Sequence, residues 1–189
     1  MKWLTLMRHA KSSWDDPTLS DHERPLNERG RHAAELMQQR LLHYGLQPQG
    51  ITLSDARRCR QTLALMPEIL SSGFVLENPA LYESSAYRLL ESLRGSDNSV
   101  NHLLMIGHNP GIQELIQLLC GHSLERFPTA AIATLQLQIN DWQELDDNCG
   151  TLCLLDRPKA KSPSRFAPLE ISTVASSSSL SSGFSGPRH

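Results

Sequence analysis

Three short stretches of this chain carry residues suited to handling a multiply charged oxyanion. An apolar run from Trp3 to Met7 ends abruptly in Arg8-His9-Ala10-Lys11-Ser12. A second, Leu103 to Ile106, ends in Gly107-His108-Asn109-Pro110, and a third passes through Leu53-Ser54-Asp55-Ala56 into Arg57-Arg58 and a helical pattern. Arginine offers a planar fork of donors that pairs bidentately with phosphate and stays charged at any relevant pH. Neutral imidazole is a good nucleophile near neutrality, with an ordinary pKa of about 6.5. A helix opening at Asn109-Pro110 adds free N–H groups that favour an anion. Taken singly, a strand-end histidine is an ordinary structural residue and an Arg-rich helix start an ordinary solvated face. Three such features at equivalent topological positions point to a phosphate site.

Strands and helices must alternate to bring these stretches together. Lys2 to Met7 reads as a buried strand. Asn27 is placed as the N-cap of a helix stopping at Gly45. Ile51 to Leu53, Phe74 to Leu76 and His102 to Ile106 read as further strands. The apolar spacing predicts helices from about Arg58 to Leu70, from Ser84 to Arg94, and after Pro110, where Ile112, Leu115, Ile116 and Leu119 share one face. Late strands are predicted at Ala131 to Ile139 and Thr151 to Leu155. This alternation implies a three-layer α/β/α sandwich around a mostly parallel sheet, with the crevice beyond the carboxyl ends of its strands. Side chains alternate along a strand, so Arg8 and His9 can act together only if the chain bends there.

The 189 residues, 39% hydrophobic, suffice for one ordinary domain, expected over residues 1–156. From Arg157 to His189 the chain becomes Pro-, Ser- and Gly-rich, which reads as a disordered tail. A net charge of −2 gives no reason to expect a nucleic-acid or membrane partner. The apolar runs are too short to cross a bilayer, and no export signal is evident, so a cytoplasmic location is expected. Cys59, Cys120, Cys149 and Cys153 show no disulfide framework; reduced thiols and no metal site are expected.

Four segments in order resemble the histidine phosphatase superfamily and, within it, the short SixA-type phosphohistidine phosphatases. They are Met7-Arg8-His9-Ala10-Lys11-Ser12, Arg24-Pro25-Leu26-Asn27-Glu28-Arg29-Gly30, Ser54 to Thr62, and Gly107-His108-Asn109-Pro110-Gly111. The resemblance extends to about Leu155 and implies a phosphoglycerate-mutase-like fold. It implies that His9 is the nucleophile, that Arg8 and His108 line the pocket, and that Arg58, in the Ser-x-x-x-Arg-x-x-Gln-Thr register, is the second pocket arginine. No cofactor is implied, because the arginines and histidines supply the charge that a metal supplies elsewhere. Surrounding cations would depress the His9 pKa and keep its nucleophilic nitrogen free.

Acid-phosphatase relatives place an aspartate after the second histidine as proton donor; here Asn109 stands there. Glu83, in Leu81-Tyr82-Glu83, is a candidate general acid, or else a solvated carboxylate before a helix. A phosphohistidine presents an imidazole leaving group that needs less acid assistance than an alkoxide, which suits a phosphohistidine-bearing phosphorelay or phosphotransfer protein as substrate. The alternatives are a phosphatase of small phosphoesters using Glu83, and a non-catalytic phospho-ligand binding module. Ser12 is a candidate phosphate donor or a turn cap, and Lys11 a candidate for steering a phosphoprotein. Asp15 and Asp16 are expected to anchor Arg24 or Arg29.

Overall fold

A computed structural model describes residues 1–70, 73–169 and 171. Among them seven strands form one sheet: β1 (Lys2–Arg8), β2 (Gly50–Leu53), β3 (Phe74–Glu77), β4 (His102–Gly107), β5 (Ile132–Leu137), β6 (Gly150–Asp156) and β7 (Ser164–Arg165). Their order is β3-β2-β4-β1-β5-β6-β7. Neighbours from β3 to β1 are parallel, and the three remaining pairings are antiparallel. Strands β1 to β4 and β6 therefore run the same way, giving the mostly parallel sheet that the alternation predicts.

The two faces of the sheet hold two cores. Leu4 and Leu6 of β1, with Leu103 and Met105 of β4, pack toward α3 (Ala86–Arg94) and α4 (Gly111–Cys120). Met7, Leu104 and Ile106 pack toward α1 (Glu28–His43) and α2 (Arg57–Ala64). The period-two alternation of apolar residues produces this three-layer arrangement directly. Met7 and Ile106 are fully buried just before the two strand ends that carry His9 and His108. Truncating either to alanine would cost about 2–5 kcal/mol and loosen the floor of the crevice.

Local chemistry sets the helix ends. The Asn27 side chain accepts from the Gly30 N–H at 2.9 Å, and Gly45 leaves α1 with φ 71°. Ser85 caps α3 by accepting from the Arg88 N–H at 3.4 Å. α2 stops at Ala64, short of the expected Leu70. Pro67 lacks a donor and disfavours helical backbone before it, yet Met66 and Ile69 still enter the core. Asn109 does not cap α4, whose N-cap is Pro110.

Residues 157–169, assigned by composition to a disordered tail, are partly built into the fold. β7 pairs its backbone with the edge of β6, and Leu169 and Ile171 pack on the α1/α2 core. A strand ladder is made by backbone groups, which composition does not report. The run Ala175 to Ser182 lies outside the described residues. Among the described residues no helix is long and apolar enough to cross a membrane.

Candidate active site

The bend after β1 is clamped from both sides. The His9 N–H bonds the Gly107 carbonyl at 3.0 Å, and the Ala130 N–H serves the carbonyls of Arg8 and His9, each at 3.1 Å. The Ala10 N–H donates to Thr62 Oγ1 at 3.0 Å, and the Thr62 hydroxyl donates to the Arg58 carbonyl at 2.7 Å. Thr62 thus ties the bend to α2. Gln61 accepts from the Leu26 N–H at 2.7 Å and ties in the loop before α1. Gly30 lets α1 close on this strap, since a Cβ there would lie 2.1 Å from the Lys11 carbonyl oxygen. Gly111 is equally constrained, a Cβ meeting the Ser84 carbonyl at 2.0 Å.

His9 and His108 converge with ring centroids 5.1 Å apart. His9 Nδ1 lies 2.7 Å from the Ala10 carbonyl oxygen. A carbonyl only accepts, so Nδ1 carries the proton and Nε2 keeps its lone pair. Arg58 Nε donates to that Nε2 at 3.3 Å. Burial, reinforced by His108, Arg58 and Arg8 against the opposing Ala10 bond, pulls the His9 pKa down to about 3. The imidazole is therefore neutral near pH 7, with Nε2 unprotonated.

Arg58 is held on every side. Nη1 donates to the Asp21 carbonyl at 2.5 Å, and Nη2 lies 2.9 Å from the Asp21 carboxylate and 3.2 Å from His108 Nδ1. His108 Nδ1 therefore accepts, and Nε2 carries the proton, 2.8 Å from Ser54 Oγ. Burial and then the Arg58 charge lower the His108 pKa to about 4. His108 is thus a neutral ring whose N–H points at Ser54, rather than a protonated donor. Cys59 lies 3.6 Å from the same nitrogen, but burial pushes its thiol up to about 12, so it stays protonated.

Arg8 donates through Nη1 to the Phe127 carbonyl at 3.1 Å, while its Nε is buried without a partner among the described residues. Asn109 donates to the same carbonyl at 2.9 Å, so the residue in place of the relatives' aspartate braces the group that holds Arg8.

Four of the expected residues come together: Arg8, His9, Arg58 and His108. Ser12 is buried and accepts from Arg24 Nη2 at 2.6 Å, bonding none of those four. Glu83 is exposed with a left-handed backbone, φ 47°, and its carboxylate bonds no pocket residue. Its neighbour Tyr82 meets the pocket instead, edge-on to His108 at 5.3 Å, with its hydroxyl donating to Asp21 at 2.7 Å. Asp21 was passed over in the sequence. Its carboxylate is held well below the usual range because bonds from Tyr82, Arg24 and Arg58 outweigh the opposing effect of burial. Asp21, not Asp15 or Asp16, anchors Arg24, at 2.7 Å. The Leu-Ser-Asp-His-Glu-Arg-Pro spacing held this signal: an acid three residues before a buried arginine. His22, to which the sequence assigns no chemistry, pairs with Asp55 at 3.0 Å on the rim, and that bond raises its pKa.

Residues 4–86 match the sequence profile of the histidine phosphatase superfamily (branch 1). An uncharacterized chloroplastic protein of Arabidopsis thaliana is 37% identical over 152 residues, covering 75% of this chain and 69% of its own length. An uncharacterized protein of Mycobacterium tuberculosis is 31% identical over 161 residues, covering 77% of this chain and 96% of itself. Among solved structures, the protein histidine phosphatase SixA complexed with tungstate superposes with a TM-score of 0.71 at 26% identity. That match spans 82% of this chain and 97% of the other. With the two imidazoles and two arginines meeting where the sheet's strands end, these likenesses place the chain in the histidine phosphatase superfamily, on its SixA-type branch.

Proposed function

We propose that this protein hydrolyses phosphohistidine on other proteins, without a metal, through a phosphorylated His9. The observation that carries this is the bond from His9 Nδ1–H to the Ala10 carbonyl, which leaves Nε2, beside Arg58, as the unprotonated nitrogen. The Nε2 lone pair attacks phosphorus in line while the P–N bond to the substrate imidazole breaks. Arg8 and Arg58 neutralise charge on the equatorial oxygens. The substrate ring, protonated on its other nitrogen, leaves as neutral imidazole.

The enzyme's own phosphoimidazole then keeps its Nδ1 proton, held by Ala10, and is itself a cationic ring with a good leaving nitrogen. Water attacks phosphorus, the Nε2–P bond breaks, and His9 returns as the neutral Nδ1–H form. The water's second proton departs with phosphate or to solvent. Neither half-reaction calls for a carboxylic acid, in keeping with the exposed, unbonded carboxylate of Glu83 and with Asn109 after His108. An alkoxide leaving group would need such an acid, which contributes about 10²–10⁴-fold. The protein histidine phosphatase among the solved likenesses supports the same substrate class.

The test measures phosphate release from a phosphohistidine-bearing protein and from an alkyl phosphate ester, both with EDTA. Fast turnover of the first, slow turnover of the second and none with His9→Ala is expected. Preference for the ester would overturn the substrate assignment. Wild-type rates from His9→Ala would overturn the mechanism.

A further inference from the structure

A second feature lies at the same edge of the sheet and plays no part in the chemistry above. Met7 of β1 is in register with Ile132 of β5, and Ile132 with Asp156 of β6. The residues after β1, before β5 and after β6 therefore gather at one edge, beside the first half of α1. They enclose a cavity of about 660 Å³ lined by Lys11, Arg29, His32, Arg126, Arg157 and Lys159, with Ala33, Leu36 and Pro128 among its apolar wall.

Five lysines and arginines thus face one cavity and no acid among the described residues lines it, in a chain whose net charge is −2. All five are exposed, and among the described residues none has an ion-pair partner. Like charges gathered without counter-charges repel one another, so the arrangement is stabilised when an anionic surface docks.

The cavity shares a wall with the catalytic crevice. Lys11 lies two residues beyond His9, and the Phe127 carbonyl, between Arg126 and Pro128, holds Arg8. The far wall is fixed as well, since Arg40 binds the carbonyls of Arg157 at 2.9 Å and Ala160 at 3.0 Å. Asp156, which precedes Arg157, is buried and engaged by Arg40 and Tyr44, while Glu28 and Glu125, next to Arg29 and Arg126 in the chain, are exposed and do not line the cavity.

We propose that this basic cavity is a docking site for acidic side chains flanking the phosphohistidine of the substrate protein. The inference rests on the phosphohistidine reading and adds a partner chemistry to it. The cations select the protein, and the buried site acts on its phosphoryl group.

The experiment uses the full chain and two phosphohistidine peptides of equal length, one flanked by Asp and Glu, the other by Asn and Gln. A small phosphoramidate and an aryl ester bearing a second phosphate complete the set. The parent protein is expected to prefer the acidic peptide in kcat/KM by about tenfold, an advantage that fades as salt rises. The double variant Arg126→Glu/Lys159→Glu is expected to lose that preference while its rate on the small phosphoramidate is unchanged. Equal rates of the parent on both peptides would overturn the proposal and leave the phosphohistidine reading intact. A loss in the variant shared by the phosphoramidate would also overturn it, placing these charges in the basal site. Faster cleavage of the doubly phosphorylated ester than of the acidic peptide, lost in the variant, would assign the cavity to small substrates instead. No hydrolysis of either peptide by the parent would overturn both readings.

Discussion

Two groups of cations share one edge of this sheet and are held in opposite ways. Arg8 and Arg58 sit in the crevice anchored to fixed partners, the Phe127 carbonyl for one donor of the first, Asp21, His9 and His108 for the second. Lys11, Arg29, Arg126, Arg157 and Lys159 stand exposed around their cavity with no ion-pair partner among the described residues. Stabilising a transition state demands donors that need no reorganisation when charge develops, and packing and hydrogen bonds provide that. Recognition of a variable surface demands charges that remain free to adapt. On the proposed readings the same residue types serve two ends, and their partners distinguish them.

Removing the proposed nucleophile should have the largest effect: His9→Ala should lower kcat/KM by about 10⁴-fold or more, measured by phosphate release. Arg58→Ala should cost about 10²–10³-fold, and Arg58→Lys should not restore it, because an ammonium cannot span Asp21, His9 and His108 at once. A lysine variant of near-normal rate would break the distinction between the fixed and free groups.

Acid should act on the histidines of the crevice. With His9 and His108 titrating at about 3 and about 4, the acid limb of kcat/KM should lie near pH 4 rather than 6.5. Stability has a matching sign. Both groups, and His102, whose burial lowers it to about 4, bind protons more weakly folded than unfolded. Between pH 6.5 and about 4 the unfolded chain holds more protons, so the folded state should lose stability as pH falls through that window. Denaturant midpoints flat across it would contradict the burial argument.

Ser54→Ala should remove the bond that orients His108 and lower kcat by about tenfold with KM little changed. Smallest of all, Arg126→Glu/Lys159→Glu should change hydrolysis of a peptide-free phosphoramidate by no more than about twofold.

Much of the fold and the four central residues were legible in the sequence. Apolar alternation along β1 and β4, each ending in a histidine, survives because period two and strand-end bends are local properties. The partners of those residues were less legible. Asp21 reaches Arg58 across 37 positions and Asn109 reaches the carbonyl of Phe127, pairings set by the tertiary path of loops. Tyr82 and Glu83 illustrate the limit, since the stretch was located but its backbone turn decides which side chain enters. β7 was invisible for another reason: its hydrogen bonds come from backbone that any composition provides. The basic cavity collects residues from four separate stretches of chain, each unremarkable alone.

The most direct test is to mix the protein with a ³²P-labelled phosphohistidine protein, quench into alkali, and locate the label on the chain. The account predicts a phosphoenzyme labelled on His9 at Nε2, because Ala10 holds Nδ1. Label at Nδ1, label on another residue, or turnover with no phosphoenzyme and full activity in His9→Ala would contradict it.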